Sequence, residues 1–305
     1  MKQAFLFPGQ GAQFVGMGSE AVQCSDVARE IFARGDKVLG FDISRICFEG
    51  PAEELNRTEI CQPAVFLTSA AMFEAMKAEG DGMSAKSVGG LSLGEYTALY
   101  AAGLVDFEDG LILTSKRGKA MQEASEQQAG GMVGIIGLDA GRVGEICDES
   151  GEGEVLEAVN FNCPGQIVVS GSKGACERAE KLADKYGAIK TIRLDVAGAF
   201  HTEMMRPAAE ILSAALAKCD IKEPGDVKVI ANVNAEYYQS SGQIKEGLVQ
   251  QLISPVFWQR CMERLLADGF EEFYEIGPGR VLTGLMKRIN RKIKVRKVKE
   301  SLKSN

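Results

Sequence analysis

The spacing of apolar positions changes along the chain, and each change marks an element. Gln3–Phe7 is a short apolar run that stops at Pro8 and predicts a strand, entering the Gly-rich turn Pro8-Gly-Gln-Gly-Ala-Gln13. Helical spacing follows at about 20–40 and again at 63–79, where Ala64, Leu67, Ala71, Ala75 and Ala78 share a face. Ser87-Val-Gly-Gly90 predicts a short strand, weakened by glycine. Leu93–Ala102 predicts a helix stopped by Gly103, and Phe107–Gln127 another.

The segment 131–197 has a rhythm of its own. Strands are predicted at Met132–Leu138, Glu154–Asn160, Gln166–Ser170 and Ile189–Val196, with helices at Gly141–Ser150 and Ala175–Tyr186. The order β-α-β-β-α-β is that of a ferredoxin-like unit. Strand and helix alternation resumes on both sides, so the unit is expected as an insertion, residues 129–197, in a larger α/β domain built from 1–128 and 198–305. Lys292–Lys299 alternates imperfectly and could form an edge strand.

Composition adds limits. At 305 residues, 45% hydrophobic and 25% charged, the chain can bury a sizeable core and does not resemble a disordered one. The first apolar run is too short for a signal peptide, and no run is long enough for a membrane span. The eight cysteines are scattered without a C-x-x-C pair, which fits free thiols in the cytoplasm better than a disulfide frame. With one histidine in the chain, a His- or Cys-based metal site is not expected. Lys287–Lys303 holds nine Lys/Arg against one acid, while the net charge is −7. The basic end is either a solvated helix and strand or a docking patch for an acidic partner. The acidic remainder argues against nucleic-acid binding.

Candidate chemistry centres on Gly90-Leu-Ser-Leu-Gly94, a G-x-S-x-G match placed between a strand and a helix. In a nucleophile elbow small residues flank the serine because the turn is tight, and the next N–H, here that of Leu93, faces the developing oxyanion. A plain loop serine is the alternative. A serine nucleophile needs a base, and His201 is the only histidine. Taken alone, a histidine after the apolar segment Val196–Phe200 is as readily a satisfied core residue. No third triad member is identified: Asp195 is the nearest upstream acid, but strand alternation does not direct it at His201. Arg117 shares a helix face with Leu113 and Met121, so it either meets a buried anion or makes a structural salt bridge. The Gln10 N–H could serve an oxyanion, or simply belong to an ordinary turn.

Several segments occur in a telling order: Phe7-Pro-Gly-Gln-Gly-Ala-Gln13, Gly90-Leu-Ser-Leu-Gly-Glu95, Arg117-Gly-Lys-Ala-Met-Gln122, Asn160-Phe-Asn-Cys-Pro-Gly-Gln166, Gly198-Ala-Phe-His201, Gln251-Leu-Ile-Ser-Pro-Val-Phe-Trp258 and Glu275-Ile-Gly-Pro-Gly279. From about residue 3 to about residue 290 the chain resembles the malonyl-CoA:acyl carrier protein transacylase family of type II fatty-acid synthesis. The resemblance implies an α/β-hydrolase-like large domain with the ferredoxin-like subdomain inserted. It implies ping-pong transfer of malonyl from coenzyme A, through an ester on Ser92, to the phosphopantetheine thiol of acyl carrier protein, with no cofactor. It implies His201 as base, the amides of Gln10 and Leu93 as oxyanion hole, and Arg117 as holder of the malonyl carboxylate. By the same resemblance the Gln251 carbonyl orients His201, Gln62 lines the site, Asn162 contacts substrate, and Phe200 excludes an α-methyl branch. The chain departs from the family at Leu91, where most members have His. A monomer is expected. A free-standing acyltransferase of a polyketide synthase, an acyl thioester hydrolase and a non-catalytic scaffold are the other readings. Arg117 speaks against a hydrolase of neutral acyl groups, and the presence of both Ser92 and His201 against a scaffold.

Overall fold

The computed structural model describes residues 1–80 and 83–298. Two sheets organise it. The larger is five-stranded and parallel, built from β1 (Lys2–Phe7), β2 (Ser87–Gly90), β7 (Lys228–Val229), β8 (Phe270–Glu275) and β9 (Val295–Lys297) in the order β7-β2-β1-β8-β9. β1 lies at its centre, and Ala4–Phe7 are buried on both faces, as a parallel sheet sandwiched by helices requires. The longest helices, Thr58–Glu79 and Phe107–Gln127, pack on each other, with Phe66 stacked on Phe107.

The smaller sheet is antiparallel: β3 (Gly130–Ile136), β4 (Leu156–Cys163), β5 (Gln166–Ser172) and β6 (Lys190–Arg193) in the order β4-β5-β3-β6. With helices Ala140–Gly151 and Lys173–Lys185 between its strands, this is the ferredoxin-like arrangement. Side chains alternate across a strand, so the sheet has two uses. Val133, Ile135, Ile167 and Val169 face the two helices in a separate small core. Met132, Gly134, Ile136, Val168, Ile192 and Leu194 line a cleft shared with the larger sheet.

Strand ends in the smaller sheet shift by up to three residues from the sequence pattern, and at three places along the chain a boundary shift has a visible local cause. The helix anticipated at 20–40 is broken at Ser25, which is extended and accepts from the Ala28 amide, capping a new helix, Asp26–Leu39. The helix anticipated from residue 63 begins at Thr58, with the Arg57 carbonyl accepting from the Ile60 and Cys61 amides ahead of Pro63. The strand anticipated at Ile189–Val196 is only Lys190–Arg193, because the chain beyond Leu194 leaves the sheet edge to enter the cleft. The edge strand in the basic end is present as β9, while Lys299–Asn305 lie outside the described residues. Among the described residues, no helix is long and apolar enough to cross a membrane.

Candidate active site

β2 ends at Gly90, and the helix Gly94–Ala101 begins four residues later. Between them Ser92 has φ +51°, a left-handed conformation that is strained for a residue with a side chain. The turn closes only because its neighbours lack Cβ atoms. A Cβ on Gly90 would lie 1.9 Å from the Gly94 carbonyl carbon, one on Gly94 2.1 Å from the Phe7 oxygen, and one on Gly9 2.2 Å from the Leu91 oxygen. Asn232 braces it: its Oδ1 accepts from the Ser92 amide at 2.6 Å, and its Nδ2 donates to the Gly90 carbonyl at 2.8 Å.

His201 reaches the same point from the other subdomain boundary, also at positive φ, +64°. Its Nε2 is 3.0 Å from Ser92 Oγ, and its Nδ1 is 2.5 Å from the Gln251 carbonyl oxygen. A carbonyl can only accept, so Nδ1 carries the ring proton and Nε2 presents its lone pair to the serine hydroxyl. Burial, aided by the nearby Arg117 cation, pushes the His201 pKa down to about 4. The ring is therefore neutral, with Nε2 able to accept, throughout the neutral range. No carboxylate bonds to His201 among the described residues; Asp195 lines the cleft instead.

Arg117 is 1% exposed. It donates to Gln62 Oε1 at 2.7 Å, Ser92 Oγ at 3.0 Å and Gln251 Oε1 at 2.9 Å, and lies over the Tyr96 ring. Its Nε has no partner, and no carboxylate forms an ion pair with it among the described residues. Burial lowers its pKa, with Tyr96 and Glu95 opposing that shift. A buried cation held by neutral groups beside a nucleophile suits a ligand that brings its own negative charge.

The Gln10 side chain donates to Thr58 Oγ1 at 3.4 Å, and the Gly9 and Leu91 main chains touch, so the loops carrying the Gln10 and Leu93 amides abut. Neither amide donates to an acceptor among the described residues. The cleft above them, about 520 Å³, is lined by Gln10, Leu91, Ser92, Arg117, Asn162, Phe200 and His201 among others. Asn162 Oδ1 is buried there without a partner. Gln62, expected to line the site, is instead fully buried behind Arg117, with its Nε2 3.3 Å from Met121 Sδ. Leu91 packs on the apolar cluster around Trp258 and Phe273, and lines the cleft together with Val281 and Leu285.

Two residues that the sequence patterns did not single out hold this arrangement. One is Asn232. The other is Glu95, fully buried, which accepts from the Tyr238 hydroxyl, the Asn232 amide at 3.0 Å and Gln251 Nε2 at 2.9 Å. Burial raises its pKa to about 7 against the pull of those donors. A glutamate in the first turn of a helix whose other positions are almost all buried was the available signal.

Residues 4–303 match the family model described as the acyl transferase domain. The chain belongs to the acyl transferase family. Among other members, it is 45% identical to the malonyl CoA-acyl carrier protein transacylase of Bacillus subtilis over 96% of this chain and 92% of that one. It is 43% identical to the transacylase of the same name from Escherichia coli K12, over 94% and 92%. A solved acyl transferase of this kind, the malonyl CoA-acyl carrier protein transacylase of Coxiella burnetii, superposes with TM-score 0.96 at 35% identity, covering 99% and 95%. Another, a malonyl-transacylase in complex with its type II polyketide acyl carrier protein, superposes with TM-score 0.95 at 39% identity, covering 99% and 98%.

Proposed function

We propose that this acyl transferase moves malonyl from coenzyme A to the phosphopantetheine thiol of an acyl carrier protein, supplying malonyl units for fatty-acid elongation. The observation that carries the acyl group is Arg117: a buried guanidinium that no carboxylate touches among the described residues, bonded to the candidate nucleophile itself. A malonyl carboxylate supplies the missing charge, in the bidentate geometry that suits arginine.

Transfer follows two like steps. Ser92 Oγ gives its proton to His201 Nε2 and attacks the thioester carbonyl. The amides of Gln10 and Leu93 receive the oxyanion. The C–S bond then breaks, the departing thiolate takes the proton from His201, and malonyl remains as an ester on Ser92. In the second step the carrier thiol gives its proton to His201 and attacks that ester, and Ser92 leaves with the proton returned. Nucleophile, base and donors all belong to the chain, so the reading calls for no resident cofactor. Phe200 and Asn162 line the cleft, which suits Phe200 to exclude an α-methyl branch and Asn162 to contact substrate. Eight free thiols support a cytoplasmic setting.

Incubation with malonyl-CoA should add about 86 Da to the intact protein, with methylmalonyl-CoA and acetyl-CoA giving far less adduct. No adduct, or equal loading by all three, would sink the reading. A polyketide carrier is the second reading for the acceptor, supported by the likeness to a transacylase solved with such a partner. Comparing kcat/KM for the two carriers decides between them.

The basic face suits an acidic carrier. Lys287 and Arg291 are exposed at the end of helix Val281–Ile289, whose Val281 and Leu285 line the cleft, while Arg288 bonds Gln166 on the opposite wall at 3.0 Å. Lys287→Glu with Arg291→Glu should raise the KM for carrier protein about tenfold and leave coenzyme A exchange unchanged. An unchanged KM removes the docking role.

A further inference from the structure

We propose that Glu95 is the positioning residue that ties the nucleophile turn to the histidine base. It touches neither Ser92 Oγ nor His201 and does not line the cleft, so it takes no part in proton transfer. It acts through Asn232 and Gln251, which come from segments 137 and 156 residues further along the chain.

Both are held by the same carboxyl oxygen. Glu95 Oε2 accepts from the Asn232 amide at 3.0 Å, and the Asn232 side chain in turn grips the Ser92 amide and the Gly90 carbonyl, keeping the left-handed turn closed. The same Oε2 accepts from Gln251 Nε2 at 2.9 Å. That amide also faces the Ser92 carbonyl at 3.1 Å, and its Oε1 receives Arg117, while the Gln251 main-chain oxygen holds His201 Nδ1. One buried oxygen thus fixes serine, histidine and arginine relative to one another. Tyr238 closes the other side by donating to Oε1.

Burying a carboxyl group is costly unless each lone pair finds a donor, and an apolar side chain would fill this space more cheaply. The three donors meet that need, and two of them hand the position on to reacting groups. Desolvation, which raises the Glu95 pKa to about 7, makes glutamine a close replacement. Its Oε1 can accept from Asn232 and Gln251, and its amide can donate to the Tyr238 oxygen. Alanine takes this acceptor from all three donors and leaves the Asn232 and Gln251 segments without their shared anchor.

The proposal rests on the Ser92–His201 reading, and its test separates the two. His201 is the only histidine in the chain, so 15N-histidine labelling of untagged protein gives one ring to follow by NMR, without substrate. Wild type and Glu95→Gln should both show a neutral ring protonated on Nδ1, and Glu95→Ala a mixture of tautomers. In transfer assays Glu95→Ala should lose about a hundredfold in kcat with KM for malonyl-CoA within about twofold, and Glu95→Gln should recover to within about fivefold of wild type. If Glu95→Ala does not fold, Glu95→Asp, which draws the carboxyl back by one methylene, should show the same ring change and about a tenfold loss of kcat. A wild-type ring signal in the alanine or aspartate variant, kcat within about threefold of wild type, or a glutamine variant no better than alanine would overturn the proposal. An acyl ester found elsewhere than Ser92 would sink the earlier reading while leaving the hold of Glu95 on the ring measurable.

Discussion

Ser92→Ala should be folded, inert and free of acyl ester. Alanine keeps the Cβ, so the strain at φ +51° and the Asn232 brace on the amide are unchanged, and the melting temperature should stay within a few degrees of wild type. What is lost is the one atom that bonds to both His201 Nε2 and Arg117 Nη2. Malonyl transfer should fall by about 10⁵-fold, the scale on which loss of an activated nucleophile is felt when the oxyanion donors and the binding cleft survive. Intact mass after mixing with malonyl-CoA checks this. A persisting adduct of about 86 Da would place the nucleophile elsewhere. Seven of the eight cysteines are buried, and only Cys24 is exposed as a competing thiol.

Arg117→Ala should change which acyl group is preferred more than it changes the enzyme as a whole. The guanidinium is the only cation bonded to Ser92 among the described residues, and Gln62 and Gln251 meet it with neutral oxygens. With malonyl bound, its removal leaves a buried carboxylate unpaired, which costs about 2–5 kcal/mol. At about 1.4 kcal/mol per tenfold, kcat/KM for malonyl-CoA should fall by about thirtyfold to a few thousandfold. Acetyl-CoA carries no such charge, so the ratio of acetyl to malonyl use should rise by about the same factor. Because both substrates meet the same variant protein, any general loosening around Gln62 and Gln251 cancels in the ratio. Equal losses on the two substrates would make Arg117 a structural residue only.

Much of this arrangement was legible in the chain because it is local. The tight turn around Ser92 needs glycine at fixed offsets, and a strand and a helix sit directly on either side of it, so a few adjacent residues announce it. The single histidine needed no pattern. The smaller sheet was readable from alternation, since its central strands β3 and β5 have one face on helices and the other on the cleft. Boundaries slipped where a local cap or an exit from a sheet decided them, as at Ser25 and after Leu194. The supports were not legible for the opposite reason. Asn232 follows the two-residue strand β7, and its bonds to Ser92 and Gly90 span 140 and 142 residues. Gln62 sits in an apolar helix, where spacing cannot tell a wall of the cleft from a brace behind Arg117. The Gln251 side chain, as opposed to its carbonyl, has partners that only the folded chain brings near.

The contact of Gly9 with the Leu91 oxygen, and of Gly94 with the Phe7 oxygen, has a consequence for how such a chain can drift. The two loops that carry the Gln10 and Leu93 amides touch main chain to main chain, so the width of the notch between them does not depend on any side chain. Side chains at positions 10 and 91 can therefore change without widening it, whereas Leu93 is held by its own packing against Cys61 and Val65. The glycines have no comparable freedom, because backbone cannot yield as a neighbouring side chain would, and no second substitution restores the lost space. Variation in what this protein accepts is thus confined to the cleft walls, while the apparatus beneath them is insulated from it.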